Sequence, residues 1–257
     1  MAARAGIQLI VYGPRNREDI FGVLREVAEI GYDGAETGNL FRQTGDEAKV
    51  RAVFAETGLA LAGTHAGYEQ HQDHAMLREN LAYTTALGAK YLMCSGVGDR
   101  SRGLAAYRDA CSVLNEAGKI CAEQSVAFCY HNHAWEFDDR EGDTCGMDIL
   151  LQGTDPAVVK LCIDVYWVYH GQQDPAAFIN ANADRAAYYH FKDGERQPDG
   201  KARFLELGNG VVDLKAAYAA AAATNPEWIT YEQDRTEKTA TESSRESLAY
   251  MRNELGL

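Results

Sequence analysis

Eight short apolar runs punctuate the chain, and from the start of one to the start of the next lie 26 to 41 residues. That interval holds a strand, a crossover helix and two loops, which is what successive parallel strands of one sheet require. The runs are Gly6–Val11, Gly34–Glu36, Ala60–His65, Tyr91–Cys94, Ala127–His131, Val159–Asp164, Ala187–Lys192 and Trp228–Glu232. Helical spacing marks Arg17–Ile30, Asp46–Thr57, Ala75–Leu87, Leu104–Gln124, Leu214–Ala223 and Ser243–Leu255, with shorter helices expected after the fifth and sixth runs. Gly31, Gly58 and Gly88 each stand between a helical stretch and the next run, where a left-handed helix end is expected.

Eight such units, with no Pro/Ser-rich linker, predict a single (β/α)8 TIM barrel over residues 1–257. An open doubly wound sheet is the competing arrangement. No Gly-x-Gly-x-x-Gly follows the first run and no Gly-Lys-Ser is present, so nucleotide binding has no support. Lys and Arg number 25 against 38 Asp and Glu, a net charge of −13 that repels phosphate backbones and anionic lipid, so neither nucleic acid nor membrane is an expected partner. The apolar stretch within Met1–Tyr12 is too brief for a signal-peptide core, which makes the expected location cytoplasmic. Six scattered cysteines form no Cys-x-x-Cys pair and read as reduced core thiols.

In a parallel barrel, chemistry gathers at the carboxyl ends of the strands. Period-two alternation turns Asp164, His190, Lys192 and Glu232 into the barrel, puts His65 in phase with Gly63, and sets His131 and His133 on one phase, while Glu36 ends the second run. Each alone is unremarkable: Asp caps helices and a single His is usually a hydrogen-bonded core residue. Together they place several carboxylates at one rim, where mutual repulsion calls for a cation. Carboxylates with imidazole suit one divalent ion, Mn²⁺ first, with Co²⁺, Mg²⁺ and Zn²⁺ as alternatives.

Tyr130-His131-Asn132-His133-Ala134-Trp135-Glu136-Phe137, Asp164-Val165-Tyr166-Trp167-Val168, His190-Phe191-Lys192-Asp193, Gly208-Asn209-Gly210-Val211-Val212-Asp213 and Tyr231-Glu232-Gln233-Asp234 occur in that order. In this the chain resembles the sugar phosphate isomerase/epimerase family of xylose-isomerase-like barrels. The resemblance implies one divalent metal held by a Glu after strand five, an Asp after strand six, a His after strand seven and a Glu after strand eight. Asp164, His190 and Glu232 match directly. Strand five departs, ending in His131, and the nearest acid is Glu136; Glu136 is the preferred ligand because it returns a carboxylate to a hard cation, with His131 as the alternative.

The same resemblance implies isomerisation or epimerisation by proton abstraction next to the carbonyl of a keto sugar or cyclitol, with Glu232 as base, His131 or His133 as its partner, and Lys192 stabilising oxyanion charge. Elimination, as in the family's inosose dehydratases and lyases of 3-keto sugars, is the alternative, because it needs only one base. Glu36 and His65 are expected to bond substrate hydroxyls, and Trp167 with Tyr166 to offer the sugar an aromatic wall. Asp193–Gly210, 18 residues rich in Gly and charge, is long enough for a lid, and Arg196, Lys201 and Arg203 within it are solvated cations or a phosphate site. A DNA-repair endonuclease on the same barrel is opposed by the net charge. A non-catalytic partner subunit and a homo-oligomer remain open.

Overall fold

The computed structural model describes residues 3–257, so Met1 and Ala2 of the N-terminal stretch lie outside the described residues. Eight parallel strands close on themselves: β1 (Arg4–Gln8), β2 (Gly34–Thr37), β3 (Ala60–Gly67), β4 (Tyr91–Ser95), β5 (Ala127–His131), β6 (Val159–Asp164), β7 (Ala186–Phe191) and β8 (Trp228–Tyr231). Each pairs with its neighbours in chain order, and β1 pairs with β8 to complete the circle. The expected barrel is therefore the observed one.

Strand side chains divide by period two. Ile163, Leu161, Tyr189, Phe191, Ile229 and Tyr231 join the layer between strands and helices, while Ala62, Met93, Cys129, Cys162, Tyr188 and Trp228 fill the lumen. Trp228 plugs the lower lumen beside Gly34, where an added Cβ would come within 2.5 Å of the indole; a larger residue at 34 would displace that plug. Helix ends follow the glycine punctuation: Ile20–Ile30 stops at Gly31 (φ +107) and Glu47–Thr57 at Gly58 (φ +71), with Asp19 and Asp46 capping the starts. All six cysteines are free and buried. Among the described residues no helix is long and apolar enough to cross a membrane.

Two sequence expectations shift and one holds. The apolar run Gly6–Val11 is only partly strand: Leu9–Tyr12 forms a 3₁₀ turn, started by the Gln8 side chain accepting from the Ile10 N–H. After β5 and β6 the connections break into short helices, Trp135–Asp138, Gly146–Gly153, Val165–His170 and Pro175–Ala181, as the weak periodicity indicated. The polar stretch Asp193–Gly210 is no loose flap. Asp193–Arg196 and Ala202–Leu205 pair as an antiparallel hairpin, and the Asp193 carboxylate accepts four backbone N–H groups, from Gly194, Gly208, Gly210 and Val212. A buried carboxylate wrapped by its own loop is a fixed anchor. On that hairpin Lys201 pairs with Asp199, and Arg203 with Glu195 and Glu237.

Candidate active site

Strand register brings the polar ends to one height. Asp164 on β6 lies opposite His190 on β7, His131 on β5 opposite Ser95 on β4, and His65 on β3 opposite Met93, two residues before Ser95. Glu232 follows β8 by one residue, its N–H donating to the Phe191 carbonyl at 3.0 Å. The barrel thus carries an inward-facing ring built from Glu36, His65, Ser95, His131, Asp164, His190 and Glu232.

Four of these form a tight group. His131, Asp164, His190 and Glu232 each offer an atom within 4.8 Å of the others, and all four residues are buried. His131 Nε2 lies 3.5 Å from Asp164 Oδ2 and 3.7 Å from Glu232 Oε2, while His190 Nδ1 is against Glu232 Oε2. None of these four atoms has a hydrogen-bond partner of good geometry. Buried polar atoms are rarely left so, and four converging on one point match the donor set of a divalent cation with carboxylate and imidazole ligands. Asp164 serves twice: Oδ1 accepts the Trp167 N–H at 2.9 Å, capping Val165–His170, and Oδ2 turns to the group.

Lys192 lies directly beside the group and is fully buried. Its ammonium is 3.2 Å from Asp164 Oδ2, 3.1 Å from Glu232 Oε1 and 2.8 Å from Asp234 Oδ2, and it sits 4.9 Å from the Trp167 ring centre. Burial opposes its charge, but the carboxylates of Asp164, Glu232 and Asp234 prevail and raise its pKa well above the ordinary range. Burial likewise works against ionised Glu232, yet Lys192 and His190 outweigh it and hold that carboxyl well below the usual range. His190 is raised well above 6.5, against burial, by the carboxylates of Glu36 and Glu232; burial itself pushes Cys162 up to about 12, so at neutral pH that neighbour is an uncharged thiol. Burial lowers His131, and lowers His133 further with help from His131 and Lys192, which leaves the His133 imidazole neutral.

Two expected roles are corrected. Glu136 does not reach the group: Oε1 accepts the Tyr130 hydroxyl at 2.7 Å and Oε2 the His133 N–H at 2.7 Å, so the side chain folds back to brace its own loop. Burial pushes its pKa up to about 8, the wrong direction for a ligand that must be ionised. From strand five it is His131 that lies within the group. Glu36, expected to bond substrate, is inaccessible, and its two oxygens are taken by His65 Nδ1 at 2.8 Å and His190 Nε2 at 2.6 Å. His65 is about one-seventh exposed, with its second nitrogen 2.9 Å from the Ser95 hydroxyl.

His133 lies outside the four but packs edge-on against His131, ring centres 4.8 Å apart, and stacks on Trp135 at 3.7 Å, with Arg100 on Trp135 at 4.6 Å and Trp167 5.6 Å from His133. Trp167 therefore joins an aromatic wall that also includes Trp135. Selecting strand ends by ionisable residues passed over Ser95, Trp135 and Asp234. Ser95 was legible as the residue two beyond Met93 on the inward phase, and Asp234 as the second acid of Glu-Gln-Asp.

A carboxyl whose pKa is higher folded than unfolded adds stability below its ordinary value and loses that contribution as pH rises through the folded one. Glu136 moves from 4.5 to about 8, so wild-type stability should carry a downward slope from about pH 4.5 to pH 8 that Glu136→Gln flattens. Urea unfolding across that window measures it, and equal slopes in the two proteins would refute this assignment.

Residues 24–254 match the family described as xylose isomerase-like TIM barrel. The chain belongs to that family. Among relatives of this xylose isomerase-like barrel, an inosose dehydratase from Geobacillus kaustophilus is 30% identical over 193 residues, an alignment covering 66% of this chain and 61% of that protein. The chain thus spans about three fifths of that relative's length. A sugar phosphate isomerase/epimerase from Parabacteroides distasonis superposes with a TM-score of 0.77 at 20% identity, covering 98% of this chain and 94% of the other. The IOLI protein with a zinc atom bound superposes at 0.73 with 16% identity, covering 97% of each. At these identities the two structural likenesses speak for the fold alone.

Proposed function

We propose that this barrel is a divalent-cation-dependent enzyme that removes the proton beside the carbonyl of a keto cyclitol or keto sugar and then expels the β-hydroxyl as water. The convergence of four buried atoms that lack a well-formed hydrogen bond, from His131, Asp164, His190 and Glu232, carries the reading. Mn²⁺ remains the first choice, Zn²⁺ being the ion in one structural relative. When bound, the cation supplies a Lewis acid that draws charge from the substrate carbonyl.

The residues then divide the work. Glu232, held ionised by Lys192 and His190, takes the C–H proton; the electron pair forms the C=C bond as the β C–O bond breaks, and the departing hydroxide takes that proton from the Glu232 carboxyl and leaves as water, which returns Glu232 to its carboxylate. With His131 among the ligands, His133 is the remaining imidazole at that strand end. The Lys192 ammonium, between Asp164 and Glu232, lies beside the developing oxyanion charge. Trp135, Trp167 and His133 bound the substrate ring and exclude water. Elimination ranks first because strand five supplies an imidazole, leaving one carboxylate base instead of the opposed pair that epimerisation uses, and because the 30%-identical relative is an inosose dehydratase.

Enzyme incubated with an inosose in D₂O should release water, seen as a new dehydrated enolic product, with deuterium entering the α-carbon of unreacted substrate. Exchange with return of an epimer and no dehydration would select the epimerase reading. No exchange across keto cyclitols and 3-keto glucosides would defeat both. Protein loaded with Mn²⁺ and desalted should hold about one ion per chain, and Asp164→Asn should lower this to a trace by elemental analysis; full retention would remove Asp164 from the ligand set.

A further inference from the structure

Beyond the four clustered residues, a second line of contacts runs around the rim away from them. Glu36 Oε2 faces His190 Nε2 at 2.6 Å, Glu36 Oε1 faces His65 Nδ1 at 2.8 Å, and His65 Nε2 faces Ser95 Oγ at 2.9 Å. A carboxylate only accepts hydrogen bonds, so both imidazole nitrogens that face Glu36 must carry a hydrogen. With an ion bound, His190 keeps its hydrogen on Nε2 and leaves Nδ1, on the side of Asp164 and Glu232, as the nitrogen free to ligate. His65 protonated at Nδ1 turns the lone pair of Nε2 toward Ser95, whose hydroxyl must then donate. One inaccessible carboxylate therefore dictates the direction of every hydrogen in the line.

The register explains why these groups can meet. Glu36 is opposite Gly63 on β3, and an added Cβ on Gly63 would come within 2.5 Å of the Met93 terminal methyl, so that level of the lumen admits no further side chain. One step higher, His65 and Ser95 lie on adjacent strands, as the pairing of His65 with Met93 places them. Glu36 and His190 lie 154 residues apart in sequence, and the closed barrel brings them across its mouth.

We propose that Glu36, His65 and Ser95 are a positioning rail for the cation site, fixing the tautomer and aim of His190 so that Nδ1 is its ligating atom. The proposal rests on the cation site put forward above and names residues outside the ligand set. Glu36 acts directly on His190, and His65 and Ser95 act by holding Glu36, so the effects of substitution decline in that order. Outer partners of metal-bound histidines commonly alter affinity by about 10–100-fold.

The test uses the full chain, stripped with chelator and titrated with Mn²⁺ against a competing indicator. Glu36→Gln keeps the size but turns one acceptor into a donor facing an N–H, and should weaken Mn²⁺ binding by about 10–100-fold. His65→Gln leaves the Glu36–His190 bond in place and should weaken it less, and Ser95→Ala least. Long-range ¹H–¹⁵N correlation spectra of the Zn²⁺-loaded protein should show His190 protonated at Nε2 in the wild type, with that signal shifted or lost in Glu36→Gln. Binding within twofold of wild type in Glu36→Gln, with the His190 signal unchanged, overturns the rail. Failure of the wild-type chain to take up either ion overturns the cation site instead. The His190 Nε2–H signal of the metal-free proteins then decides the rail, which stands if Glu36→Gln removes the signal and falls if it does not.

Discussion

Glu232→Gln should lower the rate of α-proton exchange by about 10²–10⁴-fold at saturating Mn²⁺, the range by which a positioned general base accelerates such a step. The amide preserves volume and can still accept from Lys192 at the place of Oε1, 3.1 Å away, but it takes no proton at neutral pH. Because Glu232 is also placed among the proposed ligands, affinity and rate must be read separately. Mn²⁺ affinity is measured first, and exchange is then followed by NMR with the ion saturating. A loss that disappears at high Mn²⁺ would make Glu232 a ligand without the base role. Exchange within tenfold of wild type at every concentration would remove it from the chemistry.

The second large effect concerns stability. Lys192→Met should destabilise the fold by about 3–5 kcal/mol, since removing one partner of a buried ionic network leaves the others uncompensated. Those others are Asp164, Glu232 and Asp234, all within 3.2 Å of the ammonium, and the first two are buried. For a chain of this size each kcal/mol moves the melting temperature by about 2–4 °C, so calorimetry should register a fall on the order of 10 °C. Adding Asp234→Asn should restore part of the loss, because neighbouring sites couple. Saturating Mn²⁺ should restore more in Lys192→Met than it adds to the wild type, the ion replacing a missing positive charge. A melt within 2 °C of wild type would mean that protonation already neutralises these carboxylates without the lysine.

Much of the site was readable along the chain because two rules suffice: strands alternate their faces, and parallel barrels collect chemistry at the strand ends. They turn Asp164, His190 and Glu232 inward, and all three lie in the observed group. The same rules could not choose between His131 and Glu136. That choice depended on where a five-residue excursion of the loop left the Glu136 carboxylate, and the Tyr130 hydroxyl with the His133 N–H had already captured it. Glu36 shows the complementary limit. Its inward direction was legible, but its partner lies 154 residues away on β7, so its role as a brace for His190 has no local trace. Lys192 has the same character, because a lysine after a strand is solvated or buried according to whether Asp164, Glu232 and Asp234 converge on it.

By itself the sequence determined the barrel, the order of its strands and the residues that point into it, since apolar periodicity, helix caps and left-handed glycines act within a few residues of one another. Only the tertiary structure decided which oxygen and nitrogen atoms meet, and so which of the inward groups are free to hold an ion and which are already held. Hydrogen bonds and ion pairs form over about 3 Å, and closing the barrel brings distant strand ends within that reach.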